Sequence, residues 1–342
     1  MMAMLVAIAC VLVSAVFTWR VRAMALRLNI IDEPNARSSH TQATPRGGGL
    51  AIVVTFYVAL AALVLLRRAT TDIALAFLPG IAVAAIGWVD DRRGVGTLPR
   101  FLVHLVCSIL GVLAIHRISG GANELWRVTI ESIAVAAAIN FYNFMDGIDG
   151  LAGVEAVSVG GVGLLLLGVA GASPNTGLPL VAVALAASSA GFLIWNWPPA
   201  RIFLGDVGSG FLGYAFAILA LAASGTTSIP LTAWVVLGGV FAVDATLTLL
   251  RRMLRGERWF APHRLHAYQR ASRYFKSHKR VTAAALWMNL ALAVFGVVMT
   301  ARPMYALPTL LAALVCLLAV YLWVERRSPM FDGDVPRVSS RA

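Results

Sequence analysis

The chain reads as an all-α, multi-pass integral membrane protein of about eleven transmembrane helices, its N-terminus periplasmic and its C-terminus cytoplasmic. Three observations predict this. Hydrophobic residues fill 59% of the 342 positions and charged residues only 13%, with a mean hydropathy of +0.81; a soluble domain is about one quarter charged. Apolar runs long enough to cross ~30 Å of hydrocarbon recur along the chain. The basic residues are segregated. With successive connections assigned to alternate sides, 23 of the 28 Lys and Arg fall on one side, which the positive-inside rule makes cytoplasmic.

The runs cover 2–24, 49–66, 73–89, 101–116, 128–143, 153–170, 178–195, 210–224, 229–250, 282–300 and 304–324. The stretch from Met1 to Thr18 lacks a basic leading segment and a small-residue cleavage site, so it reads as a retained helix and not a removed signal. Gly160, Gly161, Gly163, Gly191, Gly238 and Gly239 predict close helix packing. Cys10, Cys107 and Cys316 lie far apart inside apolar runs and read as packing residues. Residues 1–327 form a single membrane-embedded domain, and 328–342, which hold Pro329 and Pro336, read as a short disordered cytoplasmic tail. No internal repeat is detectable. The pI near 10.6 reflects charge facing anionic lipid and implies no nucleic acid.

Polar clusters gather on the cytoplasmic side: of 16 acidic residues, only Asp72, Glu124 and Glu131 fall clearly on the other. The first cluster holds Asp32, Arg37, His40 and Arg46, followed by Gly47, Gly48 and Gly49. Bare backbone N–H groups at a helix N-terminus suit phosphate oxygens. A simple loop-to-helix turn is the alternative, and the neighbouring cations favour the anion site. The second is Trp88-Val-Asp-Asp-Arg-Arg93, with Arg100 beyond. Adjacent carboxylates at a membrane surface need partners or a metal. Either Asp90 and Asp91 pair with Arg92 and Arg93, or one serves as base or phosphate-positioning group while the other faces a cation.

The third cluster, Asn143-Phe-Met-Asp-Gly-Ile-Asp-Gly150, spaces Asn143, Asp146 and Asp149 three apart. They share one face if the fifth helix continues through them. In the fourth, Gly205-Asp-Val-Gly-Ser209, Asp206 stands at a helix N-terminus as a hard-oxygen ligand suited to Mg2+. The fifth, Pro262-His-Arg-Leu-His-Ala-Tyr-Gln-Arg270, offers His263 and His266, with Arg264 and Arg270, to a diphosphate. Zinc is the weaker alternative there, because no cysteine or third histidine is near in sequence. Asp244 lies inside the ninth run, as a functional group or as a link to a neighbouring helix.

In this order and on one membrane face, these motifs resemble the polyprenyl-phosphate N-acetylhexosamine-1-phosphate transferase superfamily (glycosyltransferase family 4) over about residues 32–270. The resemblance implies an Mg2+-dependent enzyme, with Mn2+ as a substitute. It would move a sugar-1-phosphate from a UDP-N-acetylhexosamine to undecaprenyl phosphate, releasing UMP, on the cytoplasmic face of a bacterial inner membrane. It also implies residue roles. Asp206 and Asp91 would face the metal, and Asp90 would orient or deprotonate the lipid phosphate. Asn143 and Asp146 would line the nucleotide pocket and Asp149 would help seat the uridine. His263 and His266 would contact the diphosphate, and Arg37, His40 and Arg46 would complete the anion site.

Two departures narrow the branch. Ala43 precedes Thr44-Pro45 where the peptidoglycan enzymes carry lysine, and His263-Arg-Leu-His266 replaces consecutive histidines. Both argue for the sugar-phosphate branch, and His263–Arg270 most resembles the members that start O-antigen (lipopolysaccharide) chains. The sugar stays open among GlcNAc and 6-deoxy relatives such as FucNAc and QuiNAc, and a homodimer is neither required nor excluded. The alternatives are a phospho-N-acetylmuramoyl-pentapeptide transferase, an inactive scaffold, or a transporter of lipid-linked anions. A transporter would place charges near the midplane, often within inverted repeats.

Overall fold

In hydrocarbon every backbone N–H and C=O must find its partner inside the segment, so apolar runs close into helices. The computed structural model describes residues 1–34, 39, 42–120, 124–257 and 263–331, and each of the eleven runs falls on helix. The chain passes through α1 (Met2–Arg27), a two-residue ribbon of β1 (Ile31–Asp32) and β2 (Thr44–Pro45), α2 (Gly49–Leu65), α3 (Thr71–Phe77) and α4 (Gly80–Arg93). It continues through α5 (Thr97–Ser119), α6 (Leu125–Met145), α7 (Leu151–Val169), α8 (Gly177–Asn196) and α9 (Asp206–Thr226). The last third comprises α10 (Leu231–Leu237), α11 (Gly239–Leu254), the short α12 (Ala267–Phe275), α13 (His278–Ala301), a 3-10 turn (Pro303–Tyr305) and α14 (Ala306–Arg327).

Among the described residues, nine helices are long and apolar enough to cross a bilayer, with α3 and α4 counted as one span. A tenth is the α10–α11 pair, bent by 78°. The expected run at 49–66 is a helix of 17 residues, the shortest of the set. The bend falls at Gly238, between two helices predicted as one continuous run.

Helix α9 is the axis of the bundle, with Val207 to Phe216 entirely buried. Its neighbours approach it at small residues. A Cβ on Gly213 would collide with the α6 backbone at Ala138 and Ile139, and one on Gly87 with the backbone of Asp206 and Val207. Gly160 lies against Ala186, and Gly191 against Val11 and Ser14. The predicted close packing is therefore present at Gly160, Gly163, Gly191 and Gly239 but not at Gly161, where nothing lies within 4 Å, nor at Gly238, and at Gly87 the same packing has a local consequence. It lets the end of α4, with Asp90 and Asp91, meet the N-terminus of α9.

Candidate active site

Helix α9 begins at Asp206, four residues before the predicted apolar run, and this start depends on Gly205. Gly205 has φ +77°, and a Cβ there would drive into the Asp91 carboxyl group. Asp91 is the acceptor for the exposed end of α9: its Oδ1 takes the Asp206 N–H (3.0 Å) and its Oδ2 the Val207 N–H (3.2 Å). A carboxylate at a helix N-terminus meets both unpaired donors and the positive end of the dipole.

Two arginines tie the acids together. Arg46 places Nε 2.8 Å from Asp91 Oδ1 and Nη2 2.8 Å from Asp206 Oδ1. Arg100 bridges Asp90 and Asp206, its Nη1 lying 2.8 Å from Asp206 Oδ2 and bonded also to Asp90 Oδ2. Asp90 Oδ1 accepts the Val95 N–H. The cap predicted between these aspartates and their sequence neighbours is corrected in part, because Arg92 stacks over the Trp88 ring, 4.4 Å from its centroid. The cations come from 10 and 106 residues away for Arg100 and from 160 for Arg46 with Asp206.

Asp146 completes this cluster as the residue that ends α6. Its carboxyl accepts the Gly205 N–H. Burial, opposed by Arg46 and reinforced by Asp206 and Asp91, pushes it up to about 7. The four carboxyls Asp90, Asp91, Asp146 and Asp206 thus face two guanidiniums. Asn143, one turn earlier, donates to Ser209 Oγ (3.0 Å) and pins this corner to α9.

Asp149 does not share the face expected of it. Helix α6 stops at Met145, and the following turn carries Asp149 into a separate open cleft of 630 Å3. There its Oδ2 accepts the Ala200 N–H (3.1 Å), its backbone carbonyl accepts the Thr282 hydroxyl (2.7 Å), and His278 Nδ1 lies 3.2 Å from Oδ1. The cleft is otherwise basic, lined by Arg273, Lys276 and Lys279. His278 and Arg100 are the functional candidates that sequence reasoning did not select. Arg100 was visible near Asp90, whereas His278 had no motif around it.

The glycine triplet is also corrected. The Gly48 and Gly49 amides donate to the Phe203 and Leu204 carbonyls, 2.8 Å each, so they are not open to a phosphate. Gly49 instead abuts Gly208 closely enough to exclude any Cβ. Arg37 and His40 lie outside the described residues.

The histidine loop is held by buried charges. Asp244 accepts the Ala267 and Tyr268 N–H groups (2.8 and 2.9 Å) and lies 3.4 Å from His266 Nδ1. Arg270 is 1% exposed and bonds Glu325 (2.7 Å), the Ser328 carbonyl and the Leu265 carbonyl, which removes it from the predicted diphosphate contacts. Burial, with His266 and Arg252, pushes His263 down to about 3. At neutral pH it offers a hydrogen bond and no charge. The predicted tail is divided: Ser328 and Met330 are tied to Arg270 and Glu325, and residues 332–342 lie outside the described set.

Below the Asn143–Asp146 corner, an apolar groove of 340 Å3 runs between α6, α9 and the α10–α11 bend, lined by Phe141, Tyr142, Phe216, Trp234 and Phe241. The acid-rich, partly open site therefore lies next to an apolar groove between the helices. Among the described residues no three His, Cys, Asp or Glu side chains converge as a protein-only metal cage. The donor set fits Mg2+ nonetheless. The carboxylates outnumber their guanidinium partners, and Mg2+ usually takes one or two carboxylates, with water and phosphate oxygens completing its shell.

Comparison with known proteins places the chain. Residues 73–224 match the family model "Glycosyl transferase family 4". The chain is 26% identical over 276 residues to a Bacillus subtilis protein named "Probable undecaprenyl-phosphate N-acetylglucosaminyl 1-phosphate transferase" (76% of this chain, 74% of that one). It is 28% identical over 329 residues to the "Decaprenyl-phosphate N-acetylglucosaminephosphotransferase" of Mycolicibacterium smegmatis (84% and 79%). A "Phospho-N-acetylmuramoyl-pentapeptide-transferase" of Halalkalibacterium halodurans is 26% identical over 288 residues (77% and 86%). The four acids of the cluster all lie in the segment that the family model matches, and that match together with these relatives supports the polyprenyl-phosphate hexosamine-1-phosphate transferase superfamily.

Proposed function

We propose that this protein transfers an N-acetylhexosamine-1-phosphate from a UDP-sugar to undecaprenyl phosphate, releasing UMP and starting a lipid-linked glycan of the O-antigen kind. The observation that carries this reading is the under-neutralised carboxylate cluster around Asp206, set next to the apolar groove. A substrate with an anionic head and a long apolar tail fits that combination, since the tail stays in hydrocarbon while the head meets polar groups. The excess of basic residues at this end supports a cytoplasmic orientation at a bacterial inner membrane.

The reaction joins two anions. An oxygen of the lipid phosphate attacks the sugar-bound phosphorus of the donor, that P–O bond forms, the diphosphate bond breaks, and its electron pair leaves with UMP. Positioning and neutralisation therefore dominate over covalent help from the protein. Asp206 would hold Mg2+; Asp91, expected beside it, has both oxygens engaged by the α9 N-terminus and Arg46, so Asp90 is the second carboxylate proposed for the metal. The metal, or Mn2+ in its place, would supply positive charge to the donor diphosphate. Arg46 and Arg100 are within one side chain of the acids and can turn to phosphate oxygens as these enter. Asp90 orients the acceptor phosphate, which is already largely ionised at neutral pH and needs little help from a base. Asn143 and Asp146 line the donor side, Asp149 seats the uridine from the adjoining cleft, and His263 donates a hydrogen bond to the diphosphate, while His266, expected to share that contact, is 2% exposed and packs behind it against Asp244.

Purified protein given undecaprenyl phosphate, Mg2+ and a panel of UDP-GlcNAc, UDP-FucNAc and UDP-QuiNAc should release UMP and form a lipid product of matching mass. No UMP from any UDP-N-acetylhexosamine would sink the reading. Turnover of UDP-MurNAc-pentapeptide would move the chain to the peptidoglycan branch, one of whose members is among its relatives.

A further inference from the structure

Asp149 stands in a cleft whose other charged lining residues are His278, Arg273, Lys276 and Lys279. Its Oδ2 accepts the Ala200 N–H (3.1 Å), and its Oδ1 is met from a distant element. Ser277 caps α13 by accepting the Arg280 N–H, which puts His278 at the first helical position, over the cleft. One ring nitrogen meets Asp149: Nδ1 lies 3.2 Å from Oδ1 and 3.4 Å from the Asp149 amide nitrogen. The other, Nε2, lies 3.0 Å from the Ser39 carbonyl oxygen. Four residues along, Thr282 donates to the Asp149 carbonyl, so one face of α13 grips the same residue twice.

We infer that His278 is a positioning residue of the donor site, orienting the Asp149 carboxylate and holding Ser39 at the edge of the same cleft. This rests on the reading of Asp149 as a donor-seating group. It adds a residue that lies outside the segment matched by the family model, 73–224, and outside every motif of the sequence.

The two ring nitrogens can be separated by substitution. An Asn side chain places its amide near Nδ1 and keeps the Asp149 contact alone; a Gln side chain reaches toward Nε2 and keeps the Ser39 contact alone. His278→Ala should raise the donor KM about tenfold, equivalent to about 1.4 kcal/mol, with kcat within twofold and the KM for undecaprenyl phosphate unchanged. H278N should recover most of the loss and H278Q little of it. The double variant D149A/H278A should be no worse than D149A, since the histidine acts through the aspartate.

Titration of UDP onto the same preparations by calorimetry separates the two levels of the proposal. Wild-type protein that binds UDP while H278A binds it equally well overturns the inference and leaves the transferase reading standing. So does an H278A variant whose kcat and both KM values worsen together, or a double variant whose losses add. Wild-type protein that neither binds UDP nor turns over a UDP-N-acetylhexosamine overturns the transferase reading and the inference with it.

Discussion

Two charged clusters in this molecule use the same residue types and are built to opposite specifications. Around Asp206, four carboxyls meet two arginines. Around Glu325, the acids are matched. Its carboxylate takes Arg251 through two bonds (2.6 and 2.8 Å), Arg270 through one and the Met330 N–H through another, while Asp244 is spent on the α12 backbone. Charges that are matched hold an element in place. Charges left in surplus mark a candidate site for a cation or a substrate. The difference separates scaffold from site without reference to motif.

The contrast can be broken from either side. Glu325→Ala leaves Arg270 buried without its partner and should cost about 3–5 kcal/mol of stability, measured by denaturant unfolding in detergent; E325L/R270M should recover most of it. Unchanged stability in E325A would show that this cluster is not a scaffold. Asp206→Asn should do the reverse, lowering kcat by about 10²–10³-fold with no loss of Tm, because it removes one of several crowded carboxylates. A D206N protein that unfolds instead would make Asp206 structural. Between these, Gly205→Ala forces a Cβ into the Asp91 carboxyl at a positive φ and should cost about 1–3 kcal/mol, together with activity. An active, equally stable G205A would remove the link drawn between the α9 start and the site.

The smallest effect follows pH. Asp146 is held at about 7 in the folded protein, above the ordinary aspartate value near ~3.9. A raised acid favours folding while protonated, so its contribution is full below the ordinary value and is lost as pH climbs toward and past 7. The Tm of D146N should therefore overtake that of wild type across this window. Mg2+ held by Asp206 and Asp90 would offset the charge of Asp146 as well, so at pH 8 it should raise the Tm of wild type more than that of D146N. Parallel Tm curves without the cation would show that Asp146 does not change its protonation on unfolding.

Motif reading reached the acids of the site and misjudged several of their partners. Asp90, Asp91, Asp146 and Asp206 were selected because carboxylates at membrane depth are costly without a purpose, and they do converge. Asp149 was grouped with them by a spacing of three, which holds only while a helix continues; α6 ends at Met145 and sends it elsewhere. The glycines beside Arg46 suggest a phosphate cradle, and two of the three amides, those of Gly48 and Gly49, are consumed by Phe203 and Leu204. Arg270 looked like a diphosphate contact and is a buried strut. In each case local spacing gave the residue type, and a long-range contact decided its use.

What the sequence by itself determined is the division between hydrocarbon and polar end. That division follows from composition and charge sidedness, which are sums over many residues and tolerate local error. The positions of the helices follow too, because an apolar run in lipid has almost no choice but to close its own hydrogen bonds. Only the tertiary structure decided which arginine neutralises which aspartate, where a motif is cut in two, and that His278 reaches Asp149 from 129 residues away. Those pairings depend on where helices touch, at Gly87 and Gly49 among others, and a contact of that kind leaves no periodic trace in the chain.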